Sequence, residues 1–478
     1  MVSLMELDTS THVGDLAGTL QSLRTAWLTK RPDYRQRRDD LQRLRDALKA
    51  RLDEMVVAVN ADFGTRSRHE SLIGEGMTVF TEIDHMLKHL RAWMRTERRS
   101  SGWRLWPARA EVRYVPLGVV GVIAPWNYPV NLALVPLATA IAAGNHVYLK
   151  PSEHTPHTTE FLRSLLAQVF PPERVAVATG AGEVGAAFAA LPFDHLFFTG
   201  STAVGRKVMA AAARNLTPVT LELGGKSPAV IGMDAPMATL VGRLATGKFY
   251  NAGQTCIAPD YVLVPQARRD ELVAALREEV GRRYPQLDGS IDYTRVINQG
   301  QYRRLRDYLD DARSRSLQVI ELVSPNDAAR AERERLLPPT LVLEPGEDAA
   351  IMAEEIFGPI LVIKSYRELD DAIAYINARE RPLALYHFSK NKRETDYLLD
   401  RVVAGGVCVN ETLFHNVCNN LPFGGVGASG MGAYHGRDGF LTLSKAMPVL
   451  HQRGLPLSDK IKPPYKGLAD RVVKLLVG

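Results

Sequence analysis

The chain predicts an α/β fold built on parallel sheets, and three observations support this. Between residues 118 and 231, short apolar runs alternate with helical patterns at the spacing of βαβ units. The 30 uncharged residues from 115 to 144 divide into a buried strand, a turn and a buried helix. The length of 478 residues exceeds what one simple core holds, so two or three domains are expected.

Residues 14–60 read as long amphipathic helices, with Leu41, Leu44, Leu48 and Leu52 on one helical face. The uncharged stretch is long enough to span a bilayer by count. Pro116, Pro125, Pro129 and Pro136 argue against that, because lipid offers no partner for the backbone groups that prolines free. The better division is strand 118–123, turn 125–129 and helix 132–143. Strand 146–150, helix 157–169, strand 174–179, helix 183–190, strand 195–199 and helix 203–214 follow, then strands 219–223 and 229–231. Ligands bind at the carboxyl ends of such strands, so the turns at 150–153, 180–185, 200–205 and 224–225 are the informative ones. A second mixed region runs from 226 to 410, with helices 236–251, 267–283, 299–314 and 368–378 and strands 260–264, 340–343 and 360–363. The tail beyond 441 is rich in proline and lysine, and its last helix, 468–477, is too short and too charged for a membrane anchor.

With 46% hydrophobic and 23% charged residues, the composition is that of a soluble globular protein. Cys256, Cys408 and Cys418 form neither a disulfide framework nor a metal-ligand spacing, so a reducing compartment is the default and no metal is expected. The first eight residues lack a basic region before an apolar stretch, so no secretory signal is expected. The net charge is +6, with arginines at 91, 95, 98, 99, 104, 109 and 113. Such a run suits a nucleic-acid or anionic surface, but no accompanying motif supports that, and a solvated helix end with an exposed arm explains it.

Several segments could carry chemistry. Cys256 in Asn-Ala-Gly-Gln-Thr-Cys is one candidate nucleophile, and Glu222, 256 − 222 = 34 residues earlier beside Gly224-Gly225, is one candidate base. A lone cysteine is more often a small buried hydrophobe, and a Cys/His hydrolase using His435 or His415 stays open. Asn127, in the proline-bracketed turn 125–129, offers a non-titrating oxyanion donor, although asparagine there is usually a turn former. Gly180 to Gly185 matches GxGxxG but lacks the acidic residue expected about 20 positions on. Gly200 and Ser201 precede a helix N-terminus that could receive a phosphate. Lys150 and Glu153 end a strand where they could bind ribose hydroxyls, or form only a surface ion pair.

Taken together, PWNYP (125–129), KPSE (150–153), FTGST (198–202), LELGGKSP (221–228), GQTC (253–256), EEIFGP (354–359) and PFGGVGASGMG (422–432) resemble the aldehyde dehydrogenase superfamily, in its order and spacing. DFGTRS (62–67), APDY (258–261), YHG (434–436) and PPY (463–465) are similar to its class 3 branch, nearest the bacterial coniferyl aldehyde dehydrogenases and next the fatty aldehyde dehydrogenases. Gln301, where a His is common, and the segment 413–420 near the expected substrate pocket depart from the pattern.

The resemblance implies a Rossmann-type NAD(P)-binding domain (1–95 and 117–223), an α/β catalytic domain (224–410), and an oligomerisation arm with C-terminal tail (96–116 and 411–478). It implies catalysis by Cys256, Glu222 and Asn127, with Glu355 as a second carboxylate. The cofactor would lie on Ile123, Trp126, Lys150, Glu153, Gly200, Ser201, Leu223, Gly224, Glu355 and Phe357, which leaves 180–185 as a tight turn. The implied cofactor is NAD, with NADP as an alternative. The implied setting is a cytoplasmic homodimer acting on a small aldehyde, without nucleic acid or membrane anchor. Aromatic, long-chain aliphatic and terpenoid aldehydes all suit the motifs.

Overall fold

Two parallel sheets, each covered by helices on both faces, dominate the computed structural model, which describes residues 10–454, 462–465 and 467–477. The expectation about the first eight residues, and parts of the predicted tail, lie outside the described residues.

The first sheet runs in the order Val175–Val177, His146–Lys150, Val119–Ile123, His195–Thr199, Val219–Glu222, closed by an antiparallel two-residue strand, Gly430–Met431. Its five long strands are parallel. Alternate residues serve opposite layers. Val120, Val122, Val147, Leu149 and Phe197 pack with helices Tyr34–Ala50, Thr78–Trp93, Asn131–Ala143 and Pro156–Val169. Val119, Ile123, Tyr148, Leu196 and Phe198 pack with Leu16–Thr29, Gly182–Ala189 and Thr202–Ala213. Burial on both faces is why these strands are apolar throughout. Chain order reverses between Val119–Ile123 and His195–Thr199, which opens a crevice at their carboxyl ends.

The second sheet runs Gln318–Glu321, Thr340–Leu343, Ile360–Tyr366, Tyr261–Pro265, Pro228–Ile231, Ala384–Phe388, Gly406–Val409, with only the first strand antiparallel. A third, antiparallel sheet joins Glu97–Arg99 and Arg109–Pro116 to Ser444–His451.

Most predicted elements are present within a few residues of their expected bounds. Leu52 differs. The helix carrying Leu41, Leu44 and Leu48 ends at Ala50, and Leu52 opens a new helix, Leu52–Phe63, after Arg51 leaves helical geometry. The strands Ala384–Phe388 and Gly406–Val409 were not anticipated, nor was the pairing of Arg109–Pro116 with Ser444–His451. Arg109–Pro116 mixes charged and apolar residues on a half-exposed ribbon, so its pattern is weak.

Candidate active site

Cys256 follows a tight turn whose shape explains its local sequence. Asn251, Ala252 and Gly253 all have positive φ (53°, 51° and 71°), the conformation that side-chain-bearing residues seldom adopt. Such strain persists only where surroundings enforce it, and it gathers at functional sites. At Gly253 a Cβ would stand 2.7 Å from the Gly358 carbonyl carbon and 2.9 Å from the Lys248 oxygen, so only glycine fits. Segment 354–359 is therefore pressed against the cysteine turn. Gln254 braces the same turn: its amide donates to the Asn251 and Arg295 carbonyls (3.0 and 3.1 Å) and accepts from the Ile297 N–H (2.9 Å).

Asn127 is buried against this turn. Its Nδ2 donates to the Gln254 carbonyl at 3.1 Å, and its own carbonyl accepts from Asn251 Nδ2 at 3.1 Å. One Nδ2 hydrogen remains for another acceptor. The Asn127 carbonyl also accepts from Arg66 Nη1 (3.2 Å), whose wholly buried guanidinium pairs with Glu75 at 2.9 Å.

Glu222 ends the strand Val219–Glu222, and neither of its buried carboxyl oxygens has a hydrogen-bond partner. Burial raises its pKa well above the usual carboxylate range. The Glu355 carboxyl lies directly over Gly224, where a Cβ would collide with it. Burial, and then the charge of Asp260, push Glu355 up to about 8. Burial also pushes the Cys256 thiol up to about 12, with Glu355 and then Glu222 adding to the effect. The two buried carboxyls thus lie near enough to the thiol for their charges to oppose its ionisation. A buried proton acceptor close to the thiol is what nucleophile activation requires.

At the sheet crevice, Ile123 ends one central strand, and Gly200 and Ser201 follow the other. Lys150 ends the neighbouring strand, and its Nζ donates to Glu153 at 3.2 Å. Ser201 caps the helix Thr202–Ala213 by accepting from the Val204 N–H at 3.4 Å. Trp126 meets Phe357 edge-on at 5.2 Å, which links the 125–129 turn to segment 354–359. Leu223 and Gly224 leave the sheet beside Glu355. Thr199 Oγ1 is buried there without a partner. The crevice therefore offers a helix N-terminus with free N–H groups, bare glycine backbone, a lysine and two carboxyls, which fits a dinucleotide. Gly180–Gly185 forms a turn into Gly182–Ala189, and its last glycine lies against the Lys150 stem.

The structure brings Cys256, Glu222, Glu355 and Asn127 together and sets the other cofactor candidates at the adjoining strand ends. Cys408 lies on Gly406–Val409, and Cys418 is exposed in a loop. Among the described residues, no three His, Cys, Asp or Glu side chains group as a metal site, and no helix is long and apolar enough to cross a membrane.

Sequence reasoning missed Lys248, which is buried in Met237–Phe249 with Asp260, Lys226 and Glu355 for charged neighbours. Burial lowers its pKa to about 8. A lysine closing a largely apolar helix just before the cysteine turn was the available signal. Sequence reasoning also missed the Arg66–Glu75 pair, because nothing in either segment refers to residue 127.

The sequence-family model described as "Aldehyde dehydrogenase family" matches residues 21–448. The chain is 47% identical to a "Probable coniferyl aldehyde dehydrogenase" of Pseudomonas aeruginosa, over 98% of this chain and 97% of that one. Its structure is similar to the substrate-bound state of Staphylococcus aureus AldH, with a TM-score of 0.90, 37% identity and coverage of 96% and 99% of the two chains. It is also similar to a Mycobacterium tuberculosis aldehyde dehydrogenase complexed with NAD+, with a TM-score of 0.83, 27% identity and coverage of 93% and 91%.

Proposed function

Because the chain belongs to the aldehyde dehydrogenase family and is an oxidoreductase acting on aldehydes, we propose that it oxidises an aromatic, coniferyl-type aldehyde to its acid, with Cys256 as nucleophile. The observation that carries this reading is the convergence of Cys256, Glu222 and Glu355 beside the Asn127 amide. The aromatic substrate rests on the likeness to coniferyl aldehyde dehydrogenases.

In this reading, Glu355 takes the thiol proton, and Cys256 Sγ attacks the aldehyde carbon. The free Asn127 Nδ2 hydrogen and the Cys256 backbone N–H hold the resulting oxyanion. Such donors act strongly because they are fixed in a water-poor site. When bound, the nicotinamide cofactor supplies the acceptor for the hydride that the tetrahedral carbon gives up. A thioester on Cys256 remains. Glu222 then deprotonates a water, the hydroxide adds to the thioester carbon, and the thiolate leaves. A carboxyl with a raised pKa and no other partner suits that task.

Lys150, Glu153, Ser201, Glu355, Trp126 and Phe357, with Ile123, Gly200, Leu223 and Gly224, would hold the cofactor. Burial raises the Glu153 pKa, but a backbone N–H and Lys150 outweigh it and hold the carboxyl below its ordinary range. It stays charged beside the ribose position and opposes a 2′-phosphate, so NAD is the cofactor and NADP the weaker alternative. The arm of residues 96–116 and the chain after 411 would pair two copies, and the division 1–95 with 117–223, then 224–410, would separate cofactor and catalytic domains. Three free cysteines favour a reducing, cytoplasmic setting.

The test is formation of reduced cofactor with a panel of aromatic and long-chain aldehydes, first with NAD and then with NADP, beside Cys256→Ala. Fastest turnover on aromatic aldehydes with NAD, absent in the variant, is the expected result. Unchanged turnover in Cys256→Ala would overturn the assignment. Preference for long-chain aldehydes would replace the aromatic substrate class.

A further inference from the structure

The segment that carries Glu355 is held by its backbone, and two cations do most of the holding. Lys226 Nζ donates to the carbonyls of Ile351 and Glu354, each at 2.9 Å, and pairs with Asp260. The other Asp260 oxygen accepts from the Ile356 N–H at 2.7 Å. Arg304, on helix Gln299–Ser314, reaches the next two carbonyls. Its Nη1 donates to that of Glu355 at 3.3 Å, and its Nη2 to that of Ile356 at 2.8 Å. Three consecutive carbonyls, 354 to 356, therefore end on a lysine or an arginine. The same helix presses Leu305 against Gly358, where a Cβ would stand 2.5 Å from a leucine methyl. Phe357, between these holds, has φ +49°, strain that a non-glycine residue keeps only when its surroundings enforce it.

The guanidinium is itself aimed. Its Nε donates to Gln301 Oε1 at 2.8 Å, one helical turn earlier, and Nη1 also donates to the Tyr308 hydroxyl at 3.2 Å, one turn later. Gln301 is the residue that stands where a His is common. An amide oxygen accepts at every pH, whereas a histidine loses its acceptor when it takes a proton. The brace on Arg304 is thus independent of pH, while the carboxyl beside it is not. Glu355 faces Asp260, Lys226, Lys248, Arg304 and the Cys256 thiol. Burial and then Asp260 raise its pKa, and the charges of Lys226 and Arg304 oppose that rise. Lys226 is already paired with Asp260. Among the described residues Arg304 bonds carbonyls, an amide and a hydroxyl but no carboxylate, so its charge is the one left over for Glu355.

We propose that Arg304, braced by Gln301, is a positioning residue for Glu355: it fixes the backbone that carries this carboxyl to the thiol and keeps a positive charge behind it. This inference rests on the reading of Glu355 as acceptor of the thiol proton and names the residue that prepares it for that task.

The test reads the nucleophile without turnover, as the rate at which iodoacetamide alkylates Cys256 in the free enzyme at a series of pH values. Peptide mass spectrometry counts Cys408 and Cys418 apart. In the wild type the rate should climb through about pH 8, and Glu355→Gln should lose that limb. Arg304→Gln should move the limb upward by about one pH unit. Arg304→Lys, which keeps the charge, should return it most of the way. In the Glu355→Gln background, Arg304→Gln should change the rate by less than about twofold, because a residue that acts through Glu355 has nothing left to act on. A limb that stays at its wild-type pH in Arg304→Gln overturns the inference. So does an equal loss with and without Glu355, which would make Arg304 a support of the fold alone. A wild type with no limb near pH 8 removes the role of Glu355 itself, and this inference with it. If Arg304→Gln fails to fold, Gln301→Ala decides, since it unbraces the guanidinium without removing it: its limb must also move upward, and an unmoved limb overturns the inference.

Discussion

Glu222 enters the pocket with neither oxygen hydrogen-bonded, while Glu355 lies over Gly224 and has a pKa near 8. The two carboxyls therefore make separable predictions. Glu222→Gln should still form the thioester but fail to hydrolyse it, giving a burst of about one equivalent of reduced cofactor followed by slow turnover. Rapid-mixing absorbance would detect this, and steady turnover without a burst would remove Glu222 from the water-activating role. Glu355 can accept the thiol proton only when ionised, which happens above its raised pKa. The kcat/KM profile should therefore climb through about pH 8, and Glu355→Gln should abolish that limb.

The π-helical turn Leu72–Met77 shows how an irregular element serves the site. It places Glu75 where one oxygen pairs with Arg66 and the other accepts from the Val130 and Asn131 N–H groups (3.1 and 2.8 Å). That contact satisfies otherwise free donors at the start of helix Asn131–Ala143, just after the turn that carries Asn127. Both side chains are fully buried. Removing one partner strands the other charge, so Glu75→Ala should lose about 3–5 kcal/mol of stability in urea unfolding. A loss under 1 kcal/mol would show that water reaches Arg66. The geometry of Gly253 makes the same point at the other wall, since the backbone of 358 leaves no room for a side chain.

Across the molecule, two sets of buried groups titrate in opposite directions. His146, His195, His387 and His415 have pKa values lowered to about 4 and His435 to about 3, all by burial first. Below the usual histidine value of 6.5 the unfolded chain takes up protons that the folded chain refuses, so these groups lower stability as pH falls. Glu70, Glu82 and Glu355 are raised to about 6, 7 and 8, again by burial first. Above the usual 4.5 the folded chain keeps protons that the unfolded chain releases, so these groups lower stability as pH rises through 8. Between 4.5 and 6.5 the two sets oppose each other. Thermal unfolding midpoints should therefore drop from pH 7 to pH 8. That interval lies above most of the histidine titration and before Lys248, lowered to about 8 by burial, adds stability as pH rises further. A midpoint that rises over that interval would contradict the burial of these carboxyls.

The parallel sheets and the residues at their strand ends were legible because their causes are local, whereas roles for Cys256, Glu222, Asn127 and Glu355 came only from the resemblance of whole motifs. Apolar runs bounded by Gly, Pro and Asn mark strand ends, and at those ends stand Lys150, Gly200, Ser201 and Glu222. The turn before Cys256 demands a glycine that its own segment supplies. The half-exposed ribbon Arg109–Pro116 was not legible, since its partner lies at 444–451 and its own pattern is mixed. Nor could the chain order of residues reveal that Glu222 and Glu355 raise the pKa of the Cys256 thiol, that Lys248 and Arg66 are buried, or that His435 keeps an unpaired nitrogen. Those properties arise when groups distant in sequence exclude water from one another. Backbone preferences are set by neighbouring residues, whereas protonation and unmet hydrogen bonds depend on what the fold places beside each group.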